Sequence, residues 1–447
     1  MLAAVLALAL HLPGGAAGDH ALIVDIGKAD NARVEALKHG AGVRWWLELG
    51  DRLLVAGDGA RMLRATDADV VTTLDGVLPG QLALRARGCA EHATEAGTLL
   101  ARGGRWELRR LGANETMPTF APGEASEWRE VQPNTVVAQR YRAEGKVEAP
   151  DPLVQPLVNA IDGARWFADV TTLAGWNRSS YGTTSLTQAR DWIGDRFAAL
   201  GLAVTKPEFT MPGPNGSGTI TRTNVVGTWT GTAMPDEWVI VGGHYDSRNA
   251  QITSTTNAPG AEDNASGCAG VIEMARVLVA AQPRRTVIFM CYAGEEQGLH
   301  GSAAHVEQMQ QGGNLDKVKA VAIMDMIGYS ADATLNADFE TYATWNPYLN
   351  AFAQAAATYA PTLNVTLSTH PFGSDHMPYL DAGKQAVLAI ESDYDVYPHY
   401  HKSSDTPANM GTNALAMGTA ILKTNVAVLA REAGASDRIF ADGSEGL

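Results

Sequence analysis

Residues 237–246 read EWVIVGGHYD, an apolar run that ends in a histidine and an aspartate. Two later runs have the same form, RTVIFMCYAGEE at 285–296 and VKAVAIMD at 318–325. Helical patterns separate them, as in SGCAGVIEMARVLVAA at 266–281. Continuous apolar strands that alternate with helices are typical of a parallel sheet covered by helices on both faces. The sequence therefore predicts an α/β fold, a three-layer α/β/α domain with a mostly parallel mixed central sheet.

The rest of the chain divides around this α/β domain, which is predicted to span residues 151–435. Residues 19–115 contain short apolar stretches between turn residues, which predicts a small β-rich N-terminal domain. Residues 116–150 are rich in Pro, Glu and Gly and are predicted to be a linker, and residues 436–447 a tail. The N-terminal domain is expected to be either a propeptide that covers the α/β domain or a permanent accessory domain.

Residues 1–18, MLAAVLALALHLPGGAAG, resemble a secretory signal peptide, because an apolar run is followed by a Pro-Gly break and small residues. We therefore expect a secreted or periplasmic protein. No Lys or Arg precedes the run, so a buried strand is the alternative interpretation. No later stretch approaches the roughly 18 apolar residues that cross a bilayer, and no membrane span is expected.

Composition excludes some classes of function. The net charge of −15 argues against nucleic acid as a partner, because phosphate binding needs a basic surface. Only three cysteines occur, so this is not a disulfide scaffold. Cys268 and Cys291 lie in apolar surroundings and are expected to be small buried packing residues, although one bridge between them is possible.

Polar residues that can bind metals follow each of the three apolar runs. These residues, with those of two further loops at 259–267 and 397–406, are His244, Asp246, Asp263, Glu295, Glu296, Asp325 and His401. The carboxyl ends of parallel strands meet at one edge of a sheet, where functional groups collect. Carboxylates and imidazoles crowded there would lose hydration and repel one another without a cation. Ligands of these types without thiolate favour zinc, with manganese or cobalt possible.

Six motifs together carry a resemblance to a known family. They are GGHYDS (242–247), PGAEDNASG (259–267), AGEEQGLHGS (293–302), MDMIGY (324–329), GSDHMPYLDAG (373–383) and YHKSSDTP (400–407). The set resembles the bacterial leucyl aminopeptidase group of co-catalytic dizinc metallopeptidases, in the superfamily of aminopeptidase Y and glutamate carboxypeptidase. The resemblance covers about residues 155–435. It implies a zinc aminopeptidase that acts on peptides with a free N-terminus and prefers large apolar residues.

The resemblance also implies a role for individual residues and two zinc ions per chain. His244 and Asp325 would bind one zinc ion, Glu296 and His401 the other, Asp263 would bridge both before a cis bond to Asn264, Glu295 would be the general base, and Tyr400 would contact the transition-state oxyanion. The spacing itself suggests a role for Asp246, which shares a strand face with His244 and can orient its imidazole. His370, His376 and His399 are left outside the metal shell.

Three alternatives remain open. A carboxypeptidase of the same superfamily would need a basic group for the substrate carboxylate, and Arg248 and Lys402 are candidates. A glutaminyl cyclase resembles a one-zinc version of the site, and the pair of His244 with Asp325 counts against it. A non-catalytic binding homologue would be expected to have lost ligands or the base, and all are retained here.

Overall fold

The computed structural model describes residues 19–62, 70–87, 96–118, 128–143, 147–250 and 253–434. The predicted signal peptide and tail lie outside the described residues, and both remain predictions. No helix among the described residues has the length and apolar character needed to cross a membrane.

The N-terminal domain consists mainly of strands. Its elements are β1 (Asp19–Asp25), α1 (Asn31–Lys38), β2 (Val43–Gly50), β3 (Arg52–Gly57), α2 (Gly59–Met62), β4 (Val70–Val77), β5 (Leu82–Ala86), β6 (Thr98–Gly103), β7 (Trp106–Arg110), β8 (Trp128–Glu130) and β9 (Thr135–Arg140). Strands β6, β7, β5 and β8 form one antiparallel sheet, and β2, β3, β1 and β4 belong to another. Side chains such as Ile23, Leu47 and Trp106 share an apolar core between these sheets.

The larger domain alternates strands and helices. Its elements are α3 (Gln155–Ala160), α4 (Gly163–Ala174), α5 (Thr184–Ala199), β10 (Ala203–Thr205), β11 (Glu208–Pro212), β12 (Thr219–Thr223), β13 (Val225–Trp229), β14 (Met234–His244), α6 (Gly267–Ala280), β15 (Arg285–Tyr292), α7 (His300–Gln311), β16 (Val318–Met324), β17 (Leu335–Glu340), α8 (Asn346–Tyr359), β18 (Leu363–Ser368), α9 (Met377–Asp381), β19 (Ala386–Glu391) and α10 (Ala414–Glu432).

The central sheet confirms the predicted α/β fold. Its middle strands β15, β14, β16 and β19 are parallel, and β13 and β17 join them in antiparallel pairs. Alternate residues of β14 face opposite layers, since Val239 and Val241 pack with α4, α6 and α10 while Ile240 packs with α7 and α9. Both faces are buried, and this explains the unbroken apolar runs in the sequence.

The segment 116–150, predicted to be a linker, contains two strands in its described part. Strand β9 pairs in parallel with β2 of the N-terminal domain and antiparallel with β18 of the larger domain. A single hydrogen-bonded sheet therefore runs through both domains. The apolar pattern of β9, TVVAQR at 135–140, is short. The linker prediction was based on composition, and the Pro- and Glu-rich residues around β9 dominate that composition.

Cys268 and Cys291 form a disulfide, so the expectation that they only pack was wrong. Cys268 lies in the first turn of α6 and Cys291 near the end of β15, and both are fully buried. Their Cα atoms are 5.8 Å apart because α6 packs directly on β15. This spacing is within the range that a disulfide spans. The sequence alone, with two apolar segments 23 residues apart, does not determine that approach.

Candidate active site

The carboxyl edge of the parallel strands brings the predicted ligands together. His244 is the last residue of β14, and Asp325 directly follows β16. After β15 the chain turns at Gly294, where φ is +72°, and then presents Glu295 and Glu296. A positive φ favours glycine, so this residue allows the two carboxylates to follow the strand end so closely. His401 lies in the loop that follows β19.

The carboxylate of Asp263 lies between two clusters of ligand atoms. Its Oδ1 atom is 3.3 Å from His244 Nε2, which is also 3.3 Å from Asp325 Oδ1. Its Oδ2 atom is 3.0 Å from His401 Nε2, which is 3.2 Å from Glu296 Oε2. Each oxygen of Asp263 thus lies beside one imidazole, and each of these imidazoles also lies beside a second carboxylate. These are the residues that the resemblance assigns to the two zinc ions, and that assignment stays a prediction.

These separations fit a pair of zinc ions. Zinc lies about 2.0–2.1 Å from nitrogen and oxygen ligands in tetrahedral sites, so neighbouring ligand atoms are roughly 3.3 Å apart. The separations of 3.0–3.3 Å between the imidazole and carboxylate atoms agree with that value. The donor set has carboxylates and imidazoles without thiolate, which suits zinc and allows manganese or cobalt.

Burial makes the site strongly favourable for cations. His244, Asp263, Asp325 and His401 are all at most 4% exposed, and Glu295 and Glu296 reach only 5% and 7%. Four carboxylates therefore share a nearly dry space with two imidazoles, and even fully protonated imidazoles would leave a negative charge. Buried charges without counter-charge are costly, and divalent cations at the two clusters would offset that cost.

The protonation equilibria reflect the same crowding. Burial alone would lower the pKa of His244, but the charges of Asp325 and Glu295 outweigh it and raise the pKa well above the ordinary range. Burial raises the pKa of Glu296, and the charge of Asp263 adds to that shift. Burial likewise raises the pKa of Glu262 well above the ordinary range. Burial thus disfavours the ionised form of both glutamates, and a positive charge nearby would favour it.

The loop before α6 holds Asp263 through backbone contacts that the sequence analysis did not assign. The carboxylate of Asp405 accepts hydrogen bonds from the backbone N–H groups of Glu262 and Asp263, each at 3.0 Å. The buried Arg178 donates to the carbonyls of Pro259 and Gly260 at the start of the same loop. The Asp263–Asn264 bond is cis, as the resemblance implies.

Asp246 contacts His244 with both its backbone and its side chain. Its backbone carbonyl accepts the hydrogen bond from His244 Nδ1 at 3.1 Å, which leaves Nε2 for the metal, and its Oδ1 atom lies 3.6 Å from the same nitrogen. Its carboxylate oxygens also accept hydrogen bonds from the backbone N–H groups of Glu295 and Glu296 and from the hydroxyl of Ser180. The sequence spacing correctly placed Asp246 beside His244, and the structure extends its contacts to both glutamates.

Tyr400 and the neighbouring histidines have distinct surroundings. The ring of Tyr400 stacks on that of His401, with centroids 3.9 Å apart and an interplanar angle of 25°. His399 contacts the hydroxyl of Ser404, His376 lies 3.4 Å from Glu340, and His370 packs edge-on against Trp106. The structure thus places Tyr400 at the site and gives these three histidines other partners.

Ser374 is a further residue at the site that sequence reasoning did not single out. Its hydroxyl donates to Asp325 Oδ2 at 2.7 Å, while the other oxygen of Asp325 faces His244. The residue lies within the GSDHM motif, but a serine in a polar loop carries no signal of its own. Its position next to a ligand is visible only once the loop is folded.

Part of the chain matches a family of peptidases. Residues 224–425, just under half of the chain, match the model of peptidase family M28. This segment is therefore similar to peptidases of family M28. It contains all six residues that surround the two clusters, and the N-terminal domain and α3–α5 precede it.

Two relatives and one solved structure illustrate the similarity of this segment and its surroundings to known proteins. A probable zinc metalloprotease of Pyricularia oryzae is 35% identical over 199 residues, which cover 41% of this chain and 39% of the relative. Leucine aminopeptidase 1 of Arthroderma otae is 28% identical over 250 residues, covering 53% of this chain and 66% of that protein. The chain thus spans less than two thirds of either relative. The aminopeptidase LapA of Legionella pneumophila has the same fold, with a TM-score of 0.53 at 19% identity over 79% of this chain and 98% of that one.

Proposed function

We propose that the chain is a dizinc aminopeptidase that releases residues from the N-terminus of peptides, with a preference for large apolar residues. The central observation is the carboxylate of Asp263, whose two oxygens lie beside different imidazoles, each of which also lies beside a second carboxylate. A ligand that faces two clusters in this way suits two metal ions that act together. The name of the leucine aminopeptidase relative supports the choice of reaction and of residue preference.

The side chains of the site would have different roles in hydrolysis. When bound, the two zinc ions would supply Lewis acidity to a water molecule and to the carbonyl of the first peptide bond. Glu295 has the position of a general base, because its carboxylate is buried at the same edge, 3.8 Å from His244 Nε2. It would remove a proton from the attacking water and return it to the leaving amine. The free amine of the substrate would lie on or near a metal ion, which agrees with exopeptidase action.

The contacts of the basic residues disfavour the carboxypeptidase alternative. Arg248 is buried, and its Nε atom is 3.7 Å from Glu296 Oε2, so its charge already has a carboxylate nearby. Lys402 donates to the carbonyl of Pro398 at 2.7 Å and lies at the surface. The one-zinc cyclase alternative is disfavoured by the cluster of His244 with Asp325, since that cluster would provide a second metal site.

Export remains part of the proposal. The resemblance of residues 1–18 to a signal peptide motivates it, and the Cys268–Cys291 disulfide supports it, because disulfides persist mainly in oxidising compartments. Expression with residues 1–18 in a bacterial host, followed by N-terminal sequencing of the exported product, tests this part. Retention of an uncleaved chain inside the cell would contradict it.

The reaction and the metal count are tested on one sample. Purified protein is expected to contain two zinc ions per chain and to release the amine from leucine anilide but not from its N-acetylated form. His401→Ala should lose one zinc ion and at least about a hundredfold in kcat/KM. The matched variant His399→Ala, which removes the neighbouring imidazole that contacts Ser404, should keep both zinc ions. Preferential cleavage of the blocked substrate, or full activity with one zinc ion, would refute the proposal.

A further inference from the structure

Arg105 extends from the N-terminal domain into the larger domain. It lies in the turn between β6 and β7, and it is only 1% exposed. Its guanidinium donates to the carbonyl of Phe372 at 2.8 Å, to that of Gly373 at 3.2 Å, and to the carboxylate of Glu340. The same group lies 3.9 Å from the centre of the Phe372 ring. One side chain thus holds two successive carbonyls of a loop in the other domain.

That loop leads directly to the proposed metal centre. The residue after Gly373 is Ser374, whose hydroxyl donates to Asp325 Oδ2 at 2.7 Å. Asp325 Oδ1 faces His244 Nε2 in the cluster that Asp263 shares. A short path of hydrogen bonds and two backbone residues therefore links Arg105 to one zinc ligand.

Glu340 holds the same loop through a backbone N–H group. Its Oε1 atom accepts a hydrogen bond from the backbone N–H of Phe372 at 3.1 Å and another from the guanidinium of Arg105. Burial alone would raise the pKa of Glu340, but the charge of Arg105, together with the contact of His376 and the hydrogen bond from the Phe372 N–H, keeps the pKa below the ordinary value. The ionised carboxylate and the arginine therefore depend on each other, and both hold Phe372.

A second arginine of the N-terminal domain holds the loop that carries His401. Arg87 donates to the carbonyl of Ser392 at 2.9 Å and pairs with Asp395. Tyr394 donates its hydroxyl to the carbonyl of Arg87 and packs edge-on against Tyr400, which stacks on His401. Both loops that supply or support ligands thus contact the N-terminal domain.

We propose that the N-terminal domain is a permanent part of the metal centre, and that Arg105 is a positioning residue that orients Asp325 through the loop of Phe372, Gly373 and Ser374. This inference rests on the proposed dizinc site. It favours an accessory domain over a propeptide, because removal of the domain would break the β9–β18 pairing and leave Glu340 buried without Arg105.

Zinc affinity, measured at each site by competition with a chelator, tests the role of Arg105. Arg105→Ala should lower the zinc affinity of one of the two sites by about tenfold and change that of the other by less than about twofold. Residues that orient a metal ligand typically change metal affinity about 10- to 100-fold. Arg109→Ala is the matched control. Arg109 lies on β7, the strand that begins directly after Arg105, is similarly buried, and binds Glu107 and the carbonyls of Ala96 and Gly97 in its own domain. Equal zinc affinities in the two variants would overturn the proposal.

A double-mutant comparison distinguishes positioning from general destabilisation. If Arg105 acts through Ser374, the double variant Arg105→Ala/Ser374→Ala should bind zinc no more weakly than Ser374→Ala alone. Additive losses would overturn the proposed path. Should Arg105→Ala fail to fold because Glu340 is left unpaired, Arg105→Met/Glu340→Gln removes both charges together and should show the same loss at one site, and unchanged affinity there would also overturn it.

These measurements keep the two proposals separate. Zinc binding is measured without substrate, so an inactive wild-type protein with two zinc ions would refute the aminopeptidase and leave the role of Arg105 open to the same test. Two zinc ions and normal anilide hydrolysis, with equal affinities in Arg105→Ala and Arg109→Ala, would refute the positioning role alone.

Discussion

The carboxylate of Asp246 lies against the backbone of Glu295, whose N–H donates to Asp246 Oδ1 at 3.3 Å. The other oxygen, Oδ2, accepts from the N–H of Glu296 at 3.4 Å and from the hydroxyl of Ser180 at 2.6 Å. One carboxylate therefore fixes the backbone of both the proposed base and a proposed zinc ligand. Its backbone carbonyl also accepts a hydrogen bond from His244, so Asp246 links the end of β14 to the turn after β15.

Replacement of Asp246 should therefore disturb both functions of that turn. In Asp246→Asn one oxygen becomes an NH2 group, which cannot accept from a backbone N–H. We expect zinc affinity to fall 10- to 100-fold at one site, with a parallel fall in kcat. Asp169→Asn is the control, because Asp169 is a buried carboxylate that pairs with Arg196. Unchanged zinc affinity and kcat in Asp246→Asn would mean that the turn is held by other contacts.

Glu295→Gln tests the general-base role of Glu295 independently of metal binding. The amide has nearly the same shape as the carboxylate but cannot accept a proton, so kcat should fall about 10²- to 10⁴-fold while zinc content stays at two. Turnover of leucine anilide and metal analysis of the same preparation provide the measurement. Glu273→Gln, which alters a buried carboxylate paired with Arg276, should keep near-normal turnover. Near-normal turnover in Glu295→Gln would exclude it as the base.

The strands and the ligand positions were predictable because each depends on a local pattern. Apolar runs such as 285–292 are buried on both faces, and a polar residue at the end of such a run must lie at the sheet edge. The contacts that orient the ligands are of another kind. Arg105 and Phe372 are 267 residues apart, and nothing in either segment alone indicates that they meet. Strand β9 and the disulfide were missed for the same reason, since both depend on how distant segments pack.

The disulfide should contribute measurably to stability. It joins residues 23 positions apart, and closing a loop of this size in the unfolded chain stabilises the folded state by about 3 kcal/mol. We expect Cys268→Ala/Cys291→Ala to lower the free energy of unfolding by about that amount in urea titrations. Cys89→Ala, which removes the remaining cysteine, is the control. An unfolding midpoint that is the same with and without reductant would show that the bridge does not form in solution.

His305 should make stability depend on pH. Its Nδ1 atom lies 2.7 Å from the hydroxyl of Tyr379, which in turn lies 2.6 Å from that of Tyr292, and burial lowers the pKa of His305 to about 4. The unfolded chain, with an ordinary pKa near 6.5, therefore binds the proton more readily than the folded protein between these values. Stability should consequently fall as pH decreases from about 6.5 to 4, by up to about 1.4 kcal/mol per pH unit.

Urea titrations of the wild type and of His305→Gln across this pH range isolate that contribution. The glutamine side chain does not titrate, so the difference between the two stability curves should grow as pH decreases and should be constant above about pH 7. His39→Gln, at an exposed position on the N-terminal domain, controls for the loss of an imidazole as such. Because all other titrating groups are shared, they cancel in the difference. Parallel curves from pH 7 to 4 would mean that His305 accepts a proton equally well in the folded and unfolded chain.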